Sequence, residues 1–371
     1  MMHIVQVLSD SIINDAGKYL LNYLSCFDRA MFQVTVILPT GSKLSNSVSA
    51  FSDVALIESP HITEKPYSKQ CISHLKDLFL KIKPNILHTH SCPSACIAGK
   101  KANVRVVLAT QHRILAPEHG FKSLLYSVLN NFIYDYYIAV SETAALNLAD
   151  SGVAPHKIKI AGTGVTPVRR LSSEAAFYTR HRFGVKDDEM LFGIFGRLDV
   201  DKGHKYYIKA AWQVLKEYPA AKFLIVGDGS LEQELKERII RYGLEDNVIF
   251  TGFVDDITEL LNAIDVVVNA SESEAMSLSL LEAMSLSKPI IATRVGGNSE
   301  LITDNEDGIL VNYADSTSMA LAMLRLICNP DFASVIGDAA GQKMLQHYTA
   351  PKAVTRLEDV YKEISKGRPS I

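Results

Sequence analysis

The 371-residue sequence lacks most of the features that mark secreted, membrane-spanning or nucleic-acid-binding proteins. It contains only five cysteines, and no run approaches the roughly 20 apolar residues that a membrane-spanning helix needs. Cys92 and Cys96 lie four residues apart, but no second Cys or His pair follows at the spacing of a zinc site. The net charge of −3 argues against nucleic acid as the main partner. These absences predict free thiols and no structural metal.

The beginning of the chain lacks the basic start and the small-residue cleavage site of a signal peptide, which predicts a cytoplasmic location. The first 166 residues carry a small excess of Lys and Arg, whereas the remainder is acidic. This asymmetry would suit an anionic acceptor or a peripheral contact with the inner face of a membrane. Ordinary variation of surface charge explains it equally well.

Short apolar runs alternate with helical patterns through nearly the whole chain, which is typical of βαβ units on a parallel sheet. The predicted strands cover residues 3–9, 32–39, 54–58, 86–90, 104–111, 137–141, 158–161, 190–195, 222–226, 248–251, 265–270, 289–293 and 308–311. A break in this alternation, with a short helix, separates two series of strands. We therefore predict an α/β protein with two Rossmann-like, doubly wound parallel-sheet domains. The predicted parts are 1–166 (acceptor-side domain), 167–188 (linker), 189–350 (nucleotide-sugar donor domain) and 351–371 (a C-terminal helix that could pack back on the first domain).

The loop after the strand at 190–195 combines glycines with two cations. Ligands of open α/β sheets bind at the carboxyl ends of the strands, so residues that follow strands are the first candidates for a site. Gly196 and Arg197 end this strand, and Lys202 and Gly203 precede the next helix. A helix N-terminus and two cations suit a diphosphate that gains charge as it leaves. Exposed surface charges would give the same pattern.

Two carboxylates follow the strand at 265–270. Glu274 lies in the loop after the strand, and Glu282 lies in the first turns of the helix that comes next. One carboxylate could accept hydrogen bonds from sugar hydroxyls and the other from a ribose. Taken alone, a pair of glutamates at this spacing is more often a solvated helix face.

The surrounding motifs decide between these interpretations. In order they are Ser273-Glu274, Leu281-Glu282-Ala283-Met284, Lys288-Pro289, Gly296-Gly297, Glu300-Leu301-Ile302 and Gly308-Ile309-Leu310-Val311. Together with the Gly196-Arg197 and Lys202-Gly203 loop and the turn Gly227-Asp228-Gly229, they closely resemble the C-terminal signature of retaining, GT-B-fold glycosyltransferases of family 4. The resemblance is dense over residues 190–312. It implies two Rossmann-like domains facing a cleft, a nucleotide-sugar donor, most often a UDP-sugar, and no cofactor.

The resemblance also implies roles for individual residues. Arg197 and Lys202 would hold the donor diphosphate and assist its departure. Glu282 would hold the ribose hydroxyls, and Glu274 would contact the transferred sugar. Backbone contacts to the donor would come from loops after strands, at Gly17, Gly196, Gly227, Gly252, Phe253, Val254, Met276, Ser277 and Leu278.

His112 follows the strand at 104–111 and resembles the family histidine that faces the donor sugar. It is our candidate for orienting or stabilising the reacting centre, although a histidine at a strand end is more often structural. His88 and His90 also end a strand, and we expect them to be structural.

The sequence departs from the family pattern at two places. The first loop has a single glycine, Gly17, where the family often has a pair. Glu274 is followed by Ala275-Met276-Ser277 rather than the commoner Gly-Phe-Gly, which could reshape the sugar pocket.

Metal-dependent transferases of the other major fold use an Asp-x-Asp motif to hold Mg²⁺ or Mn²⁺ on the diphosphate. Asp199-Val200-Asp201 fits this pattern, but Arg197 and Lys202 flank it and already supply positive charge. We therefore expect metal-independent transfer.

These features predict a retaining glycosyltransferase that moves a sugar to a glycan or lipid-linked acceptor, in surface polysaccharide or glycolipid assembly. Residues 121–137, rich in Leu, Tyr and Phe, could form an acceptor-side or membrane-surface helix, although core packing explains the pattern more often. The alternatives are a non-catalytic nucleotide-sugar-binding partner subunit and a GT-B sugar-nucleotide epimerase. A dinucleotide dehydrogenase is disfavoured because residues 9–17 lack a Gly-x-Gly-x-x-Gly loop.

Overall fold

The computed structural model describes residues 1–62, 67–90, 92–115 and 131–366. The chain forms two compact units. The first comprises Met1–Val165 and Ala350–Ile371, and the second comprises Thr166–Thr349. Each unit is built around one parallel sheet.

The sheet of the first unit has seven parallel strands in the order β3-β2-β1-β4-β5-β6-β7. The strands are β1 (Met2–Leu8), β2 (Phe32–Pro39), β3 (Ala55–Ser59), β4 (Ile86–His90), β5 (Val106–Gln111), β6 (Tyr136–Ala139) and β7 (Ile158–Ile160). The helices between them are α1 (Asp15–Cys26), α2 (Ser45–Ser49), α3 (Lys69–Ile82), α4 (Pro93–Lys101) and α5 (Glu142–Asp150). Chain order reverses between β1 and β4, and all five residues of β4 are buried.

The sheet of the second unit has six parallel strands in the order β10-β9-β8-β11-β12-β13. Its elements are α6 (Ser173–Arg182), β8 (Leu191–Phe195), α7 (His204–Glu217), β9 (Lys222–Val226), α8 (Glu232–Tyr242), β10 (Val248–Gly252), α9 (Thr258–Ala263), β11 (Val266–Asn269), α10 (Leu278–Ser285), β12 (Ile290–Thr293), α11 (Gly296–Leu301), β13 (Ile309–Val311), α12 (Ser316–Cys328) and α13 (Pro330–His347). Chain order reverses between β8 and β11, the position where open α/β sheets bind ligands.

Local sequence explains where several helices begin. The hydroxyl of Ser141 caps α5 by accepting a hydrogen bond from the N–H of Ala144 at 3.0 Å. Asn14 caps α1 in the same way by accepting from the N–H of Gly17 at 3.1 Å. Such caps satisfy N–H groups that have no partner inside the helix.

The last helix, α14 (Ala350–Lys366), packs in the first unit although it follows the second in sequence. The N–H of Ala350 donates to the carbonyl of Val165 at 3.0 Å, and Arg356 donates to the carbonyl of Ala161 at 2.8 Å. Tyr361 is fully buried and lies edge-on to Tyr23 of α1, with ring centroids 6.2 Å apart. The sheet of the first unit is therefore covered partly by residues from the far end of the chain.

The predicted fold class, two Rossmann-like domains with parallel sheets, is confirmed. Strand limits differ by one or two residues; the strand predicted at 104–111, for example, begins at Val106. After β13 the chain forms the helices α12, α13 and α14.

Across the described parts of the chain, no individual helix has both the length and the apolar character to span a membrane. The bent pair α12 and α13, at 105° to each other, meets those criteria of length and composition together.

Candidate functional site

The carboxyl ends of β8 and β11 bring Lys202 and Glu274 together. The ammonium of Lys202 donates to Oε1 of Glu274 at 2.7 Å. Both side chains are largely buried, with exposed fractions of 19% and 9%. An ion pair with so little water around it is strongly coupled, because removal of one partner leaves a buried charge. Two residues that the sequence predicted separately thus form one unit of the site.

A buried network of polar side chains holds the carboxylate of Glu274. Oε1 of Glu274 also accepts from Ser271 at 2.7 Å and from Asn269 at 3.2 Å. Asn298 donates to Oδ1 of Asn269 at 3.1 Å, and Thr293 donates to the carbonyl of Ser271 at 2.7 Å. These four residues are buried, so the network fixes the carboxylate of Glu274.

Sequence reasoning missed these supporting residues. Asn269 ends a buried apolar strand, and Ser271 lies two residues later. A polar residue at the carboxyl end of such a strand is a recognisable signal, because an unpaired amide would be costly there. Asn298 gave no such signal, since it lies within α11 and is distant in sequence.

Arg197 forms a more exposed pair. Its guanidinium lies 2.6 Å from Oδ2 of Asp199, and the two side chains are 43% and 28% exposed. Oδ1 of Asp199 accepts from Ser230 at 3.3 Å. Exposed ion pairs contribute little to stability. Arg197 can therefore leave the carboxylate of Asp199 and bind another anion at a small cost in free energy.

The same contacts bear on the Asp-x-Asp pattern. Asp199 is engaged by Arg197, and the backbone carbonyl of Asp201 accepts from the N–H of Glu272 at 2.7 Å, which ties the loops after β8 and β11 together. Among the residues that the structure describes, no group of three or more His, Cys, Asp or Glu is placed to hold a metal ion.

Glycines let the loops of the second unit pack closely on one another. Gly203 has φ of +67°, and a Cβ there would lie 1.9 Å from the carbonyl oxygen of Ala270. A Cβ on Gly227 would lie 2.1 Å from the carbonyl oxygen of Gly196, and the N–H of Gly227 donates to the carbonyl of Gly252 at 2.9 Å. Close backbone contacts within the protein itself therefore explain why positions 203 and 227 require glycine.

The other predicted donor-site residues of the second unit lie in neighbouring loops. Ala275, Met276, Ser277 and Leu278 are buried and lead from Glu274 into α10, in which Glu282 is half-buried. Gly252 ends β10 with φ of +71°, and Phe253 after it is 42% exposed. Val254 is half-buried. The structure assigns no ligand contact to these residues, and their donor-binding roles stay predictions.

His204 is buried directly behind Lys202, as the first residue of α7. Burial, reinforced by the charge of Lys202, lowers the pKa of His204 to about 4. Its imidazole is therefore neutral at neutral pH and adds no charge beside the ion pair of Lys202 and Glu274.

His112 and Gly17 lie in the first unit. Gly17 is buried in the first turn of α1, and its N–H donates a hydrogen bond to Oδ1 of Asn14. His112 follows β5, and its Nε2 lies 2.8 Å from Nδ1 of His90, which is fully buried. The ring of Tyr19 lies edge-on to His112 with centroids 5.1 Å apart. Burial, with a smaller effect of the charge on Arg113, lowers the pKa of His112 to about 3, so the ring is neutral.

The predicted acceptor-side helix at 121–137 cannot be placed on the structure, since residues 116–130 lie outside the described part of the chain. Its described end includes Tyr134 and Tyr137, which are buried and have ring centroids 4.6 Å apart. These two aromatic residues belong to the core.

Two sequence families match the chain. The family described as glycosyl transferases group 1 matches residues 189–329, and glycosyltransferase family 4 matches residues 16–169. Together they cover most of both units.

Individual proteins are similar over nearly the whole chain. The UDP-Gal:alpha-D-GlcNAc-diphosphoundecaprenol alpha-1,3-galactosyltransferase of Escherichia coli is 28% identical over 87% of this chain and 86% of its own. The N-acetyl-alpha-D-glucosaminyl L-malate synthase of Bacillus anthracis is 25% identical over 81% of this chain and 80% of its own. A crystal structure of Anabaena HepE in complex with UDP-glucose matches with a TM-score of 0.86 and 21% identity, covering 98% of this chain and 100% of that one.

The two family matches, the similar proteins and the paired parallel sheets agree with one another, and the chain belongs to the GT-B-fold glycosyltransferases of group 1.

Proposed function

We propose that this glycosyltransferase uses a UDP-sugar donor, transfers the sugar with retention at the anomeric carbon, and needs no metal ion. The observation that carries the proposal is the convergence of Arg197, Lys202 and Glu274 on the carboxyl ends of two adjacent strands where chain order reverses. The name of the E. coli relative specifies a UDP-galactose donor, and HepE binds UDP-glucose. Both facts favour UDP over other nucleotides.

We propose that Arg197 and Lys202 bind the donor diphosphate and stabilise the charge that develops on it. The half-exposed Arg197 can exchange Asp199 for a phosphate oxygen at small cost. Lys202 is held by Glu274, so its ammonium is already oriented before the donor arrives. Such preorganisation lowers the cost of reaching the transition state.

Glu274 is the proposed contact for the transferred sugar. Its Oε1 already accepts from three donors, which makes Oε2 the oxygen for a sugar hydroxyl. Three hydrogen bonds to one oxygen also reduce the nucleophilicity of the carboxylate. This arrangement favours front-face attack, in which the leaving diphosphate helps to deprotonate the acceptor, over a covalent glycosyl intermediate on Glu274.

The remaining roles follow the resemblance. Glu282 is proposed to accept hydrogen bonds from the ribose, the loop from Gly252 to Val254 to frame the base, and His112 to contact the transferred sugar. The proposed acceptor is a glycan or a lipid-linked sugar, and the proposed setting is surface polysaccharide or glycolipid assembly at the inner face of a membrane.

Thermal stabilisation by UDP, GDP, ADP and their sugar conjugates, with and without EDTA, tests the donor class. A ligand that binds only the folded state raises the melting temperature by mass action. We expect a shift with the UDP series that is unaffected by EDTA and lost in Glu282→Ala. The matched control is Glu237→Ala, an exposed residue of α8. Loss of the shift with EDTA would contradict metal independence, and a shift with another nucleotide alone would contradict the UDP assignment.

Product analysis tests the reaction itself. NMR of the product formed from a UDP-sugar and a lipid-linked acceptor is expected to show the anomeric configuration of the donor. An inverted product would refute retention. Release of UDP together with free sugar, at the same rate with and without acceptor, would point to the epimerase alternative instead.

A further inference from the structure

The side chain of His112 is joined to a buried chain of hydrogen bonds that reaches the C-terminal helix. Nε2 of His112 lies 2.8 Å from Nδ1 of His90, and Nε2 of His90 lies 2.9 Å from Oε1 of Gln6. Gln6 and His90 are essentially inaccessible to solvent. Each of these two contacts therefore has to be a proper donor–acceptor pair, because an unmatched polar atom is costly when buried.

The direction of these hydrogen bonds follows from the chemistry of the amide. The carbonyl oxygen of Gln6 can only accept, so Nε2 of His90 carries the proton. A neutral imidazole has one proton, so Nδ1 of His90 is an acceptor. Nε2 of His112 must then donate to it, which leaves Nδ1 of His112 with the lone pair.

The other end of the Gln6 side chain continues the network. Its Nε2 donates to the hydroxyl of Tyr361 in α14 at 3.0 Å. The Tyr361 hydroxyl lies 2.6 Å from Nδ1 of His88, and Nε2 of His88 lies 2.5 Å from the hydroxyl of Thr110. The Gln6 side chain thus turns its amide oxygen toward His90 and its amide nitrogen toward Tyr361. A reversed amide would reverse the tautomers of both His90 and His112.

Tyr19 lies beside His112. Its ring is edge-on to that of His112, with ring centroids 5.1 Å apart. The rings of His88, His90 and His112 form a column with centroid separations of 4.4 and 5.1 Å. The imidazole of His112 is thus restrained by a hydrogen bond on one nitrogen and by ring contacts on its sides.

All three imidazoles are neutral. Burial holds the pKa of His88 and of His90 well below 6.5, and neighbouring imidazoles lower both further. The titratable and charged groups near the column include Tyr19, Tyr23 and Tyr361, whose pKa values are raised by burial, the carboxyl of Glu358, and the cations of Arg113 and Arg356. No carboxylate is paired with any of the three imidazoles within the described residues, so the three rings stay neutral across the neutral range.

We propose that His90, with Gln6 and Tyr361 behind it, is a positioning residue that holds His112 in the Nε2-protonated tautomer and presents the Nδ1 lone pair to a hydroxyl of the transferred sugar. The sugar contact rests on the proposed function of His112. The tautomer does not, since it follows from the contacts within the first unit alone. The C-terminal helix therefore has a part in the site through the Tyr361 hydroxyl, three hydrogen bonds away from His112.

Histidine ¹⁵N NMR of the full chain tests the tautomer directly, because protonated and bare ring nitrogens differ in chemical shift. The His112 signals are identified by their loss in His112→Gln. We expect Nε2 protonation in the unmodified protein from pH 7 to pH 5. His90→Phe should populate both tautomers, whereas His90→Asn, whose Oδ1 can accept in place of Nδ1, should retain the Nε2-protonated form. His74→Phe, which removes a half-buried imidazole of α3 outside this network, is the matched control.

Tyr361→Phe is the second variant, and it keeps the packing of the ring. Removal of the hydroxyl releases the Gln6 amide, so a second His112 tautomer should appear although Tyr361 is remote from His112. This variant keeps the test decisive if His90→Phe does not fold. Nδ1 protonation of His112 in the unmodified protein, or spectra of both variants identical to those of His74→Phe, would overturn the proposal.

Kinetics separate this inference from the proposed function. We expect His90→Phe to lower kcat by about ten- to a hundredfold, the range known for removing the hydrogen-bond partner of a metal-binding histidine, which orients its ring in the same way. The affinity for UDP should be unchanged, and His90→Asn should recover most of the loss. Unchanged kcat in His90→Phe with an altered tautomer would refute the sugar contact. Absence of any turnover by the unmodified protein would refute the proposed donor, while the spectra would still decide the tautomer.

Discussion

Replacing Lys202 by methionine tests whether the Lys202–Glu274 pair holds the site together as well as binding the donor. Glu274 is only 9% exposed, so loss of its cation leaves a buried carboxylate with Asn269 and Ser271 as its remaining known donors. Breaking a buried pair from one side costs about 3–5 kcal/mol. Because two donors remain, we expect the lower end, about 3 kcal/mol.

The assay uses the single tryptophan of the chain. Trp212 lies in α7 of the second unit, stacked on Tyr242 with ring centroids 5.5 Å apart, and its fluorescence reports unfolding of the unit that contains the pair. With an m-value of about 2 kcal/mol/M in urea, a loss of about 3 kcal/mol lowers the midpoint by about 1.5 M. Arg197→Met should lower it by less than about 0.5 M, since the Arg197–Asp199 pair is exposed.

A double variant tests the energetic coupling between Lys202 and Glu274. Glu274→Gln keeps the acceptor for Asn269 and Ser271 but removes the charge, so Lys202→Met combined with Glu274→Gln should recover about half of the lost stability or more. Both single variants, Lys202→Met and Arg197→Met, should lose transfer activity. If Lys202→Met unfolds at the same urea concentration as Arg197→Met, the pair is not a buried structural contact and the reasoning fails.

Three further changes have defined outcomes. Gly203→Ala should destabilise the second unit by at least about 2 kcal/mol more than Gly243→Ala, as measured by Trp212 fluorescence in urea. Both positions have positive φ, which costs a residue with a Cβ about 1–2 kcal/mol. Only at Gly203 would the added Cβ also clash with the backbone, at 1.9 Å from the carbonyl oxygen of Ala270. Equal losses would refute the steric argument. The pKa of His204 is about 4 in the folded state, below its unfolded value of 6.5, so the unfolded chain takes up the proton first as the pH falls. The contribution of His204 to the stability of the folded state is therefore complete above pH 6.5 and is lost as pH falls towards 4. His204→Leu should therefore remove about 3 kcal/mol of the acid dependence of stability between pH 7 and pH 4, and an unchanged pH profile would contradict that pKa. Asn298→Leu should lower kcat without changing the affinity for UDP, because Asn298 does not contact Glu274 directly and reaches it through Asn269. Equal effects on kcat and on UDP affinity would show that the role of Asn298 is structural.

Local patterns were sufficient to predict the two parallel sheets and most strands. A parallel strand is buried on both faces, so it appears in the sequence as a short apolar run whatever surrounds it, as β4 does. The candidates Arg197, Lys202 and Glu274 could be identified for a related reason, because functional residues of such sheets follow the carboxyl ends of strands. The cap at Ser141 is likewise a purely local feature.

The partners of these residues depended on tertiary structure. Nothing near Lys202 in sequence indicates that its carboxylate partner lies 72 residues further along the chain, or that Asn298 reaches the same network from α11. The predicted reason for Gly227 was close approach of a ligand, whereas the structure shows the backbone of Gly196 at that position.

The sequence by itself determined the fold class and the family, and it supplied the charged candidates for the site, because each depends on residue order within successive strand–loop–helix units. Only the tertiary structure decided how His112 is held. Its orientation depends on Gln6 from β1, His90 from β4 and Tyr361 from α14, which are up to 355 residues apart. A tautomer is set by which groups face each ring nitrogen, and sequence spacing carries no information about contacts between elements that distant.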